Sequence, residues 1–368
     1  MVATTSRAWI LRGARDLTLD EIELPDTPPD DGAVVRVEGC GLCGTDYEQY
    51  AGHLDALGLA VYPLVIGHEP LVRIERIAPA AAERWQVSEG DRVAVEIRAG
   101  CGVCRRCMAG EQILCARKLQ YGFTPLSVGS GLWGGLAEYM VLRGNTVLHT
   151  IREDIPTEDA LMFNPLSAGI EWAVLRGGVG LGDHVLILGA GQRGLACVAA
   201  SVAAGAERII VTGLASDRDK LELARRAGAT DTLVVDPNDP DSLLDVIGAD
   251  SVDRVVEVVP LATRPVLDAM EAVRPGGRIA LGGLKGGREI PGFVSDTIVK
   301  KSIDVVGAFG ATSEAYRLAV RAIERGRVDF TGWHTHTLPL ADAEHAVQIL
   351  GGEHPDERAP VHVTVLGR

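Results

Sequence analysis

The sequence predicts an α/β protein whose second half folds as a doubly wound parallel sheet. Three observations carry this prediction. From about Leu181 onward, short continuous apolar runs alternate with helical stretches. The first run is followed by Gly189-Ala190-Gly191-Gln192-Arg193-Gly194, which opens an alanine-rich helix. The half before Leu181 has another texture, of short β-branched segments separated by Gly, Pro and Asp.

Taken in order, strands are predicted over 33–37, 71–77 and 91–95, each bounded by turn residues, with 25–31 as a loop. In the second half, strands over 185–188, 209–212, 232–235, 254–259 and 278–281 alternate with helices over 195–204, 220–227 and around 266–273. Helices over 313–325 and 342–350 follow Val306. There is no internal repeat and no low-complexity tract.

The 368 residues suggest two domains at roughly 150 residues each. A hydrophobic fraction of 46% against 23% charged residues is that of a globular chain with a sizeable core. The formal charge of -14, from 36 Lys+Arg against 50 Asp+Glu, repels phosphate backbones and anionic lipid. Nucleic acid and membrane surfaces are therefore not expected partners. Residues 1–20 hold no apolar core of a secretory signal, and the longest apolar run, 195–206, is about half a bilayer span. The expected location is cytoplasmic.

Four of the seven cysteines crowd into Cys101, Cys104, Cys107 and Cys115. A disulfide framework would spread through a small secreted chain, whereas this cluster fits one tetrahedral Zn²⁺. With all four ligand positions filled, that zinc would be structural. The alternatives are four thiols clustered by chance, or a nucleic-acid-binding knuckle flanked by Arg105, Arg106, Arg117 and Lys118, which the acidic whole disfavours.

In Gly189-Ala190-Gly191-Gln192-Arg193-Gly194, the first Gly allows a tight turn and the second lets the backbone approach a pyrophosphate. The third lets helix and strand pack closely, with the helix N-terminus facing the phosphates. An acid that would bind the adenosine ribose is expected where the second strand ends. Gly213 stands there, which leaves NAD and NADP both open, with NAD slightly favoured because Asp217 and Asp219 offset Ser216 and Arg218.

Cys43, in Gly41-Leu42-Cys43-Gly44-Thr45-Asp46, and His68-Glu69 supply thiolate, imidazole and carboxylate. Such a set suits a catalytic zinc that keeps a position open.

These motifs, together with Gly134-Gly135-Leu136-Ala137-Glu138-Tyr139, occur in an order that resembles the zinc-dependent medium-chain alcohol dehydrogenases over essentially the whole chain. Within that family the chain looks closest to the sorbitol, threonine and glucose dehydrogenase branches. Asn164-Pro165-Leu166-Ser167 falls where those branches usually have Glu-Pro-Leu-Ser. The resemblance implies Cys43, His68 and Glu69 as zinc ligands, with Asn164 either offering oxygen to zinc or its water, or serving as a plain helix-cap or loop amide. It also implies that Thr45 takes the alcohol proton. Glu48 stands where the family commonly has a relay histidine, and is read either as that relay or as a solvated surface acid.

The architecture implied is a distorted β-barrel-like (GroES-like) catalytic domain from 1–165 and 307–368, with a Rossmann domain, 166–306, inserted into it. The activity implied is reversible oxidation of an alcohol, a secondary alcohol or polyol, by hydride transfer to NAD(P). Two zinc ions per subunit and a homodimer or homotetramer are expected. Cofactor contacts are expected at Gly189, Gly191, Gln192, Arg193, Gly194, Gly213 and Arg218. Rival readings are a metal-independent quinone or enone reductase of the same superfamily and a non-catalytic zinc-stabilised binding protein. Tyr47, Tyr50, Leu57, Trp133 and Phe123 are candidate pocket linings.

Overall fold

The computed structural model describes residues 3–55, 58, 61–239 and 241–367. Leu57 lies outside the described residues. The chain divides into two compact units. The first comprises the chain up to Asn164, Val320–Arg325 and everything from His334 on; the second comprises Pro165–Ala319 and Gly326–Trp333.

The first unit is built on β-strands, as the β-branched texture of its sequence requires. Ala33–Leu42 is the centre of a seven-stranded sheet, pairing antiparallel with Glu69–Ile77, Tyr139–Leu142 and His362–Leu366. The sheet continues through Arg92–Val95 to Leu148–Thr150, and His334–Pro339 joins the opposite edge parallel to His362–Leu366. A three-stranded sheet orders Asp16–Glu23, Thr5–Gly13 and Leu64–Val65. Val34, Val35, Val72, Ile74, Val93, Val95, Met140 and Trp133 form one core; Trp9, Leu42, Ile66, Leu136, Val347 and Val365 belong to another. The predicted segments 33–37 and 71–77 lie in these strands, and 91–95 matches Arg92–Val95 to within one residue. The strands at 139–142, 334–339 and 362–366 were not anticipated.

In the second unit the parallel sheet comprises β1 (His184–Leu188), β2 (Arg208–Gly213), β3 (Asp231–Val234), β4 (Val252–Glu257), β5 (Val273–Leu281) and β6 (Asp304–Gly307). Their order is β3-β2-β1-β4-β5-β6, all parallel. This is the doubly wound dinucleotide-binding order, with its switch point between β1 and β4. β6 is not predicted from the sequence: two exposed and two half-buried residues at a sheet edge carry too little periodicity to be read.

The helix Gln192–Ala204 buries nine of its 13 residues. Its small side chains allow this: a Cβ on Gly169 would stand 2.4 Å from the Ala196 backbone, so the helical segment beside it approaches closely. Leu195, fully buried there, contributes roughly 2 kcal/mol by leaving water. The helix ends where Gly205 turns left-handed at φ +85.

The compact units part between Asn164 and Pro165 and cross again after Ala319. The sequence predicts these points at 165/166 and 306/307. The second differs because β6 and the first part of the helix Ser313–Glu324 cluster with the parallel sheet. Among the described residues, no helix is long and apolar enough to cross a membrane.

Candidate active site

Cys43 follows the strand Ala33–Leu42 and is the N-cap of the helix Gly44–Tyr50. His68 and Glu69 come from the turn and first residue of the neighbouring strand, where Glu69 is the cross-strand partner of Gly41. A Cβ at Gly41 would lie 2.9 Å from Glu69 Oε2 and 3.1 Å from His362 Nε2, so a side chain there would displace the carboxylate. Gly67 enters the turn at φ +91, and a Cβ there would meet the Leu136 backbone N at 2.8 Å. The chain thus brings Cys43 Sγ, a His68 nitrogen and a Glu69 oxygen within 4.8 Å of one another.

One carboxylate organises this set. Asp46, fully buried, accepts the Cys43 N–H at 3.0 Å on Oδ2 and faces His68 Nδ1 at 2.9 Å with Oδ1. Held this way, the His68 proton sits on Nδ1 and the Nε2 lone pair is left for a metal. Nε2 lies 3.8 Å from Glu69 Oε1. Burial opposes positive charge on the imidazole, but Asp46 and the Cys43 sulfur outweigh it and hold the His68 pKa well above its usual value, the same pull that favours a cation at Nε2 in the proton's place. A thiolate, an imidazole and a carboxylate converging in a buried place fit zinc in a site with an open position. The sequence analysis assigns Asp46 no role; its position three residues after Cys43, at the first helical turn, is the signal that marks it.

Thr45 Oγ1 stands 3.6 Å from Cys43 Sγ. Glu48 Oε2 is 2.7 Å from His53 Nδ1, a partner the sequence reading missed. Asn164 is 5% exposed, at the second position of the helix Phe163–Gly169. The Phe123 ring lies 5.5 Å from the His68 ring, so this candidate lining does reach the site. The other described candidates sit elsewhere. Tyr47 donates to Glu353 at 2.8 Å, Tyr50 donates to Glu344 at 3.0 Å, and Trp133 belongs to the core of the first unit's sheets.

The four-cysteine lobe meets a direct geometric test. Cys104 Sγ lies 3.6 Å from Cys107 Sγ and 3.8 Å from Cys115 Sγ; a tetrahedral ZnS₄ centre with 2.3 Å bonds requires about 3.8 Å between sulfurs. All four ligand atoms fall within 4.8 Å of one another, and all four cysteines are free of disulfides. Backbone N–H groups at Val103 and Cys104 draw the Cys101 thiol down to about 6, and Arg117 approaches its sulfur at 3.3 Å. Both effects favour the thiolate that zinc needs.

In the second unit, Gly189 turns at φ +112 after β1, and a Cβ on Gly194 would stand 1.9 Å from the Gly189 carbonyl oxygen. At Gly191 a Cβ would meet nothing within 4 Å, which leaves the backbone open on the face where a pyrophosphate lies. Gln192 Nε2, buried at the first turn of the helix, has no partner among the described residues. Arg193 is half-buried beside it. These features fit a dinucleotide on the helix N-terminus. At Gly213 a Cβ would stand 3.1 Å from Asp217 Cβ and 3.3 Å from Leu221, a tight but side-chain-lined space. Asp217 accepts from Leu214 N and from Lys220, each at 3.0 Å, while Ser216 and Arg218 are exposed.

Two family models match: the alcohol dehydrogenase GroES-like domain over residues 29–153 and the zinc-binding dehydrogenase domain over 194–325. A Mycobacterium tuberculosis protein assigned as an alcohol dehydrogenase is 40% identical, covering 97% of each chain. The sorbitol dehydrogenase of Bacillus subtilis is 30% identical over 94% of each. A Sinorhizobium meliloti protein of the zinc-binding dehydrogenase class, solved bound to NADP, superposes with a TM-score of 0.84 at 24% identity, covering 99% of this chain and 100% of that one. With this similarity end to end, and with both cysteine-containing clusters assembled, the chain belongs to the zinc-dependent medium-chain alcohol dehydrogenases and is an NAD(P)-using alcohol oxidoreductase.

Proposed function

We propose that the chain oxidises a secondary alcohol or polyol reversibly, with Cys43, His68 and Glu69 holding the catalytic zinc. The observation that carries this is the single buried Asp46 carboxylate binding both Cys43 and His68, an arrangement that serves ligand orientation. When bound, zinc supplies Lewis acidity toward the alcohol oxygen and NAD(P) accepts the hydride. Thr45, beside Cys43, takes the hydroxyl proton; the Glu48–His53 pair, with Glu48 one helical turn from Thr45 and His53 largely exposed, passes it to solvent. Asn164, buried and neutral, presents an amide oxygen for zinc or its water.

The first unit is the catalytic domain and the second the dinucleotide domain. The coenzyme contacts are Gly189, Gly191, Gln192, Arg193, Gly194, Gly213 and Arg218. The absent ribose-binding acid at Gly213, the capture of Asp217 by Lys220 and the exposed Ser216 and Arg218 support use of NADP beside NAD. A second zinc in the four-cysteine lobe is structural. Exposed apolar side chains, among them Val103, Met108 and Leu114 on that lobe and Phe293, Val294 and Phe309 in the second unit, support a homo-oligomer.

The test is a screen of secondary alcohols and polyols with both coenzymes, followed by nicotinamide absorbance, beside zinc analysis. Two zincs per chain with hydride transfer confirm the reading. One zinc with quinone or enone reduction would replace it by the metal-independent reductase. Two zincs and coenzyme binding without turnover would make it a binding protein.

A further inference from the structure

Outside both cysteine clusters, the C-terminal segment gathers three histidines and a glutamate. His336 lies on the strand His334–Pro339, His345 on the helix Ala343–Leu350, and His354 and Glu357 in the loop before the strand His362–Leu366. A nitrogen of His345, a nitrogen of His354 and an oxygen of Glu357 all fall within 4.8 Å of one another.

We propose that His345, His354 and Glu357 form a third metal site, for a divalent transition-metal ion such as Zn²⁺, with His336 positioning the glutamate. The hydrogen-bond directions support this. Gln348 donates through Nε2 to Tyr50 Oη at 3.1 Å, which turns its Oε1 toward His354 Nε2 at 3.3 Å. An amide oxygen accepts only, so His354 Nε2 carries the proton and Nδ1 keeps its lone pair. His336 Nδ1 is buried with no partner among the described residues. His336 Nε2 lies 3.5 Å from Glu357 Oε2, within ion-pair reach of the carboxylate. That leaves Glu357 Oε1 facing His345 Nε2 at 3.0 Å. Tetrahedral zinc with bonds of 2.0–2.1 Å sets adjacent N and O ligands about 3.3 Å apart, so this edge is close to coordination distance. Two imidazoles and one carboxylate select a zinc-class ion over Ca²⁺ or Mg²⁺, and the partial exposure of His345 and Glu357 gives it a way in. A bound ion would tie the loop to the helix Ala343–Leu350. None of this depends on the catalytic assignment.

The test titrates the dialysed holoenzyme with Zn²⁺, counting metal per chain and following backbone hydrogen exchange. Wild type is expected to take up one further equivalent of zinc and to show slowed exchange over 351–360. His345→Ala/His354→Ala is expected to lose only that equivalent and that slowing, with alcohol oxidation unchanged. Glu357→Gln serves as a second variant if the double substitution does not fold. No further uptake by wild type, or equal uptake with no protection of 351–360 in wild type and variant, would overturn the site.

Discussion

Replacing Asp46 by Asn tests the ligand geometry most directly. The carboxylate presents one oxygen to Cys43 N and the other to His68 Nδ1, at 3.0 and 2.9 Å, with no exposure to water. Asn has the same size but one acceptor; its NH₂ must face one of the two N–H donors. One hydrogen bond to a charged group is therefore lost, about 1.5–3 kcal/mol. In binding, each 1.4 kcal/mol is a factor of ten, so zinc affinity at the Cys43–His68–Glu69 site should fall about 10–100-fold. The assay substitutes Co²⁺ and follows its removal by chelator, since a site with one thiolate and the four-thiolate lobe absorb differently. Four-cysteine occupancy should not change, which serves as the internal control. If Asp46 merely capped its helix, D46N would lower the melting temperature and leave metal affinity intact. Unchanged affinity at the mixed-ligand site would refute the orienting role.

Four further outcomes are expected. Cys104→Ser should lose one zinc per chain and lower thermal stability while the catalytic zinc stays, as metal analysis and melting curves would show. Arg218→Ala should raise the KM for NADP about tenfold and leave NAD kinetics unchanged, the loss of one charge-assisted hydrogen bond to a 2′-phosphate; equal effects on both coenzymes would remove Arg218 from that role. Glu48→Gln should lower alcohol oxidation most at acidic to neutral pH with zinc content unchanged, and superimposable pH–rate profiles would exclude the Glu48–His53 relay. Burial raises the Glu257 pKa although Lys285 lies 2.9 Å away, so stability from that carboxyl is full below its unfolded value near 4.3 and is lost as pH rises through the folded one. Lys285→Met should deepen the loss, costing about 3 kcal/mol at pH 8 and less at pH 5 by urea denaturation.

Features that depend on neighbours in the chain were legible without coordinates. The spacing of Cys101, Cys104, Cys107 and Cys115 predicts a four-thiolate cluster because two- and seven-residue gaps let a turn and a short helix converge their sulfurs. The turn from Gly189 to Gly194 declares itself because a glycine with φ +112 and a helix packed at 1.9 Å from a would-be Cβ tolerate no other residue. Alternation of apolar runs and helices likewise determines a parallel sheet, since parallel strands need crossovers.

What tertiary structure decided lies across strands and between distant segments. Asp46 meets His68 only because the helix after Ala33–Leu42 lies against the turn before Glu69–Ile77, and no local pattern encodes that meeting. Gly41 is small because Glu69 occupies its cross-strand space, a pairing set by register. Tyr47 and Tyr50 suggested a substrate pocket as aromatic residues near Cys43, yet their hydroxyls go to Glu353 and Glu344 on the C-terminal segment. The absence of an acid at Gly213 was visible in the sequence, but the closeness of Asp217 and Leu221 to that position was not. His336, His345, His354 and Glu357 span strand, helix and loop, so their convergence belongs to the fold. Chain-local chemistry is written in spacing; coordination between elements depends on packing, where long-range contacts are settled by burial and register and leave no periodic trace.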